Sequence, residues 1–364
     1  MEFGLSEDQR LMQDSVGRTL ERVCPLERVR KAADGGESHA RDVWTALVEL
    51  GVPGLLVPEE EGGMGLRLLD AALVSETLGR HVAPVPFVAS AVMAPIALMG
   101  AGSPSQQQSF LPKLAGGEAI AGVAISERAA GARDGAGVTA EGGRLNGKAL
   151  FALDAGGADF FIVGDRTGGL HLVWSDATGL ARKTLTTIDL TRSIGELDFH
   201  DVEAEPLVSG KAGETARRML DAGRVMLAAD TLGAGWMMID KAVAYAKERK
   251  QFGRVIGSFQ AVKHMCAEMA AELEPGRSLV WYAAHAFDEM PDEASLMAAH
   301  AKAHLSEVGR FVARTATEVH GGMGFTDLLG LHYWFKRIGL DRQLLGSPER
   351  VRHEAAVMQG WAAD

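Results

Sequence analysis

The residues best suited to chemistry lie between Ala242 and Leu273, in the run AVAYAKERKQFGRVIGSFQAVKHMCAEMAAEL. It reads as one helix, a short break over 253–258 and a second helix. Arg249, Lys250 and Gln251 stand beside Phe252 and Gly253 before the break, and Phe259, Gln260, Val262 and His264 open the next helix. Gly253 and Gly257 permit a tight turn, since glycine takes positive φ at little cost. Cations near the amides of a helix start make an anion site. An aromatic and a glutamine on the same loop can hold a flat polar ring. The same residues also fit a plain helix–loop–helix corner with solvated charges. Two smaller constellations accompany this one. Asp221 and Arg224 are spaced i, i+3 and share a helix face, where they can line a site or simply pair with each other. Glu318, Gly321 and Gly322 belong to a loop, HGGMGFT over 320–326, in which glycine permits close backbone approach or only an interhelical turn.

These residues need elements to position them. The chain has 364 residues, 47% hydrophobic and 23% charged, enough for a substantial core and for two or three domains. Up to about 118 it reads as helical: a Ser6/Gln9 capping box, a helix over 43–50, breakers and turn makers in GVPGLLVPEEEGGMG, then helices over 69–78, 88–98 and 106–114. From 119 to 208 alternation and glycine turns indicate a β domain. Its expected strands include a hairpin of 160–163 with 170–174, a hairpin turn at Asn146–Gly147, and strands over 184–190 and 194–199. From 209 to 364 the helical period returns, with helices near 215–250, 260–287, 293–320 and 348–361, which argues for a four-helix bundle. The expected fold class is α+β, with domains 1–118, 119–208 and 209–364. The 260 and 293 helices look apolar on more than one face, so an oligomer, most simply a tetramer, is expected.

The net charge of −11 argues against nucleic acid as a partner. No stretch approaches a membrane span, the start MEFGLSEDQR does not resemble a signal peptide, and Cys24 and Cys266 form neither a disulfide framework nor a metal motif. A cytoplasmic setting is the default expectation.

The run ERKQFGRVIGSFQAVKH closely resembles the ERxQFGxxIxxFQxxxH signature of the acyl-CoA dehydrogenase family, and HGGMGFT resembles the family's QxxGGxGF-type loop. The resemblance implies FAD, an acyl-CoA thioester, α,β-dehydrogenation of the kind found in fatty-acid β-oxidation, and an acceptor such as electron-transfer flavoprotein. It places Arg249, Phe252 and Gln260 at the adenosine end of FAD, partly across a subunit boundary. It places Gly321–Gly322 where backbone approaches the dinucleotide, with Glu318 where the family has glutamine. Asp221 and Arg224 match a DxxR pattern lining the acyl-CoA site.

Elsewhere the resemblance fades. The TEP-type strand becomes Ser126, Glu127, Arg128, of which Ser126 retains a donor for a flavin edge; the GSD that follows becomes Ala132, Arg133, Asp134; the ring-flanking Trp and Thr become Leu150 and Ala152. The family's base is a glutamate before the Gly-Thr of a YEGT motif, here Leu345, or in a subgroup a glutamate on the DxxR helix, here Gly223. Neither is a carboxylate. Glu349, four residues beyond Leu345, is the remaining candidate base, and His320 and His332 are weaker ones. Some bacterial relatives pair a base-less subunit with a catalytic one in an α2β2 tetramer, often for sterol-like acyl-CoAs. Three readings follow: a flavin-dependent acyl-CoA dehydrogenase or its base-less subunit, an acyl-CoA-binding or scaffold protein without flavin, and a related flavoenzyme of other chemistry.

Overall fold

The computed structural model describes residues 4–125, 136–207 and 211–363. It is an α+β protein, as its sequence leads one to expect. Six helices come first: α1 (Glu7–Val23), α2 (Leu26–Asp34), α3 (Arg41–Val48), α4 (Leu68–Arg80), α5 (Ala94–Ala101) and α6 (Pro104–Ala115). Ser6 and Gln9 cap α1 reciprocally. The apolar stretch ahead of α5 is not α-helical but winds in wider π turns over Phe87–Met93.

An eight-stranded sheet follows: β1 (Ala121–Ala124), β2 (Gly137–Glu141), β3 (Arg144–Leu153), β4 (Phe160–Gly164), β5 (Leu170–Trp174), β6 (Leu180–Thr184), β7 (Ile194–Glu203) and β8 (Glu205–Pro206). Its order is β6-β7-β3-β1-β4-β5-β8, with β2 also on β3. The β4–β5 hairpin forms as expected. The expected Asn-Gly turn does not. Gly142 and Gly143, both at positive φ, turn the β2–β3 hairpin, while Asn146 and Gly147 lie inside β3 at a register shift. A Cβ on Gly147 would sit 2.3 Å from the Gly137 carbonyl oxygen, so the glycine serves a bulge. The strand expected over 184–190 ends at Thr184. Beyond it Asp189 turns inward and its Oδ1 accepts from the Thr191 amide, which pulls the chain out of the sheet.

The C-terminal helices are α7 (Ala212–Glu248), α8 (Gln260–Glu289), α9 (Pro291–His320), α10 (Leu331–Asp341) and α11 (Pro348–Met358). Helix α10, like α2, has no counterpart among the expected helices; it starts directly after Gly330, which is in the left-handed conformation. Between α7 and α8 the two-residue strands β9 (Lys250–Gln251) and β10 (Arg254–Val255) make a small hairpin. Helices α7, α8 and α9 pack on one another, and α4 lies along α7. The two apolar sides of α9 are both covered within the chain, by α7 and α8 and by α11, whereas α8 leaves Ala261, Ala267, Ala271 and Tyr282 exposed. No helix among the described residues is long and apolar enough to cross a membrane.

Two features fix how these parts meet. The first is a backbone-close crossing of α4 and α7. A Cβ on Gly79 would lie 2.0 Å from the Asp230 carbonyl oxygen, and one on Gly233 would lie 1.8 Å from that of Glu76. The second is a buried charge cluster where all three parts converge. Arg337 on α10 donates to Asp189 at 2.8 Å, to Asp230 of α7 at 3.2 Å and to the Ala83 carbonyl at 3.2 Å. Arg192 lies 3.0 Å from both Asp230 and Asp341. Burial of the Asp154 carboxyl beside Arg192 pushes it up to about 7, although the residue as a whole is only half-buried, and burial raises Asp341 well above the usual carboxylate range.

Gly233→Ala is expected to force α4 and α7 apart and to cost about 1–3 kcal/mol. The readout is a lower urea midpoint with an unchanged slope; an unaltered midpoint would contradict the close crossing. Asp154 gives a pH prediction. Folded chains retain its proton between the usual 3.8 and about 7, where unfolded chains release it. Its contribution is therefore complete below the lower value and declines as pH rises through the upper one. Between about pH 5 and about pH 8 Asp154→Asn should lose less stability than the wild type, by more than about 1 kcal/mol. Parallel losses in urea titrations would show that Asp154 does not titrate in that window.

Candidate functional site

The first turns of α7 carry the polar face of the site. Ala216, Arg217, Leu220, Asp221 and Arg224 recur at helical spacing, and across from them α11 supplies Arg350, His353, Glu354, Val357 and Met358. Between the two helices is a cleft of about 440 Å³. Asp221 and Arg224 thus line one cavity, but each is engaged elsewhere. Asp221 is buried, accepts a 2.5 Å hydrogen bond from Ser295 Oγ, and has its carboxyl raised by burial. Arg224, also buried, donates from Nε to the Leu345 carbonyl at 2.9 Å and lies 2.7 Å from Glu354 Oε2. Glu354 carries no sequence signal; only the fold shows that the α11 face bearing it turns toward α7. A second cavity, of about 330 Å³, lies beside the same turns of α7, where Leu56, Leu66, Ile96, Met99 and Phe287 meet Thr215 and Arg218.

The two positions at which a base is expected converge in space. A Cβ on Gly223 would sit 2.5 Å from Leu345 Cδ1 and 2.9 Å from Met93 Sδ. Leu345, buried and at φ +57°, thus occupies the notch that Gly223 leaves. Glu349 does not reach this place. It is exposed on the first turn of α11, bonded to Arg342 at 2.9 Å, and its carboxyl is lowered chiefly by hydrogen bonds to the helix-start amide and to Ser347, then by Arg342. The two histidines are occupied as well. His320 is buried, its Nδ1 is 2.7 Å from the Ala316 carbonyl oxygen, and burial lowers its pKa. His332 is half-buried, lies 3.4 Å from Asp327 and is also lowered by burial.

The loop residues gather at the far end of the bundle. Tyr245 near the end of α7 stacks on His320 at the end of α9, ring centroids 4.7 Å apart, which ties the 249–260 segment to the 321–325 turn. Phe252 and Gly253, at φ +52° and +75°, form the β9–β10 turn, a conformation that favours Asn-Gly and strains phenylalanine. The Phe252 ring is 90% exposed. Gly257 serves a different purpose from Gly253: its Cβ would lie 2.9 Å from the Ala246 carbonyl oxygen. Arg249 and Gln260 are exposed, Arg254 stacks over Phe259 at 4.0 Å, and no side chain caps the amides that open α8. Gly321 is at φ +58°, and a Cβ on Gly321 or Gly322 would meet nothing within 4 Å; exposed Glu318 stands on the turn before them.

Residues 6–118 match the acyl-CoA dehydrogenase N-terminal domain model and residues 213–356 the acyl-CoA dehydrogenase C-terminal domain model. The chain belongs to the acyl-CoA dehydrogenase family. Acyl-CoA dehydrogenase IpdE2 of Mycolicibacterium smegmatis is 30% identical over 96% of this chain and 98% of its own. The short-chain-specific acyl-CoA dehydrogenase of Clostridium acetobutylicum is 29% identical over 90% of this chain and 91% of its own. Among solved structures, the ChsE4–ChsE5 complex of Mycobacterium tuberculosis superposes with a TM-score of 0.90 at 26% identity, across the whole of both chains.

FAD, the flavin that the acyl-CoA dehydrogenase family implies, fits this structure unevenly. At the dinucleotide end the exposed cation, the exposed aromatic, the uncapped helix start and the open glycine turn suit a pyrophosphate and a flat base. At the ring end Ala152 is fully buried inside the β-domain core and offers no donor, and Leu150 is half-buried. Ser126, Glu127, Arg128 and residues 132–134 lie outside the described residues.

Positive φ at a non-glycine residue costs roughly 1–2 kcal/mol. Phe252→Gly is therefore expected to leave the isolated chain as stable as the wild type or up to about 1 kcal/mol more stable. A clear loss of stability in thermal unfolding would mean that its edge-on contact with Phe259, 6.1 Å between ring centroids, outweighs the strain.

Proposed function

We propose that this acyl-CoA dehydrogenase family chain is the base-less subunit of a heterotetrameric, FAD-dependent acyl-CoA dehydrogenase. The single observation that carries this is the Leu345 side chain seated in the Gly223 notch, which puts hydrocarbon at both places where the family keeps its base. A positioned base contributes about 10²–10⁴-fold, so this chain alone should turn over little. In this reading FAD, when bound, supplies the hydride acceptor for α,β-dehydrogenation of an acyl-CoA thioester, and an electron-transfer flavoprotein receives the electrons. This chain holds the adenosine end through Arg249, Phe252 and Gln260, and keeps the Gly321–Gly322 backbone clear for it. Glu318, in place of glutamine, weakens that grip unless a partner cation meets it. The structure of the ChsE4–ChsE5 complex supports the pairing by analogy. The second reading is an acyl-CoA-binding structural subunit without flavin, and buried Ala152 at the ring wall favours it.

The test begins with purified chain alone, assayed with a series of saturated acyl-CoAs and an artificial acceptor. Negligible turnover is expected. Robust turnover abolished by Glu349→Gln would make Glu349 the base and end this reading. Co-purified with a catalytic subunit, the chain should give a yellow complex in which Arg249→Ala and Phe252→Gly lower FAD retention, because pyrophosphate contacts to arginine are charge-assisted. A colourless complex that still binds acyl-CoA would establish the flavin-free alternative.

A further inference from the structure

The helix that closes the cleft barely belongs to the core beneath it. Val351 and Ala355 of α11 pack with Ala299 and Ala303 of α9 in a small cluster separate from the main core. Leu296 packs beside that cluster and Pro348 is buried at the helix start, and the contacts that remain are polar. Glu349 bonds to Arg342, Arg217 reaches Met358 Sδ at 3.5 Å, and Glu354 meets Arg224 at the inner wall. A helix joined by so little apolar surface is a low-stability unit that opens before the body does.

The inner contact is unusual. Arg224 Nη2 is buried and 2.7 Å from Glu354 Oε2, yet it makes no hydrogen bond among the described residues. A buried guanidinium therefore has a neutralising charge but an unfilled donor direction. Around it stand Arg217 and Arg350 against Asp221 and Glu354, with Arg350 itself 2.9 Å from Glu354 Oε1; with Arg224 the lining carries three guanidiniums to two carboxylates in a chain of net charge −11. The site favours an acceptor-bearing, anionic ligand, and Glu354 occupies the place of its acceptor.

We propose that α11 is a strap over this cleft, held shut by Glu354, which stands in for the acceptor oxygen of an acyl-CoA at Arg224, and that the strap lifts for the ligand to enter. The ligand's identity rests on the proposed function above; the strap itself rests on the contacts of α11. Apparent affinity is then the intrinsic affinity scaled by the fraction of chains with the strap open.

Two variants and two readouts test it in the full chain. Val351→Ala weakens the seam without touching the cleft. It should speed amide exchange over 348–358 about tenfold and tighten butyryl-CoA binding by the same factor in calorimetry. Glu354→Gln keeps the shape and removes the charge; exchange should again rise and butyryl-CoA should bind more tightly. Butyryl-CoA should itself speed α11 exchange in the wild type. If exchange rises while affinity stays fixed or falls, Glu354 and α11 are structural parts or ligand contacts, and the proposal is overturned. If butyryl-CoA binds neither wild type nor variants, the acyl-CoA reading fails; the strap is then judged on ligand-free exchange in Glu354→Gln, where unchanged protection rejects it.

Discussion

Two guanidiniums decide how this molecule is put together. Arg337 and Arg192 sit where helical, sheet and bundle parts converge, facing Asp154, Asp189, Asp230 and Asp341. Buried ion pairs add little net stability over apolar packing, but removing one partner strands a charge at a cost of about 3–5 kcal/mol. Such a cluster acts as a register mark, because a displaced part leaves its carboxylate unpaired. The consequences reach the site. Asp341 ends α10, and the Lys302 amine holds the Asp341 and Arg342 carbonyls at 2.7 and 3.0 Å. With those two residues fixed, the next few have little choice, and Leu345 is delivered at positive φ into contact with α7.

How far the sequence could be read depended on the range of the interaction. The long helices α7, α8 and α9 are written in hydrophobic period, and their extents were legible. Features set by contact with distant parts were not. Asn146–Gly147 carries the local signature of a turn, yet Gly142–Gly143 makes the turn and the Asn-Gly pair lies inside β3, at a register shift against β7. Residues 185–190 have strand composition, but Asp189 is drawn out of the sheet by Arg337, 148 residues away in sequence.

The site shows the same division. Arg249, Phe252, Gln260 and the Gly321–Gly322 pair stand in local motifs, and each could be singled out from sequence. Glu354 could not, since only the crossing of α11 over α7 brings it to Arg224. Nor could the meeting of Gly223 and Leu345 be read from positions 122 residues apart; it is a fact about packing. Each position is legible in its own motif, and the packing makes the two a single volume.

That shared volume has a historical meaning. With Leu345 in place, a Cβ at 223 would sit 2.5 Å from its Cδ1 and 2.9 Å from Met93 Sδ, so a side chain there must first displace those two tips. At 345 the reverse holds: the residue is free to change, because glycine on the facing helix leaves it room. The two positions thus form an asymmetric lock in which replacement at 345 must come first. Among relatives, the pairing of residues at these two sites is expected to record which step was taken first, with glycine at the helix position accompanying bulk at the loop.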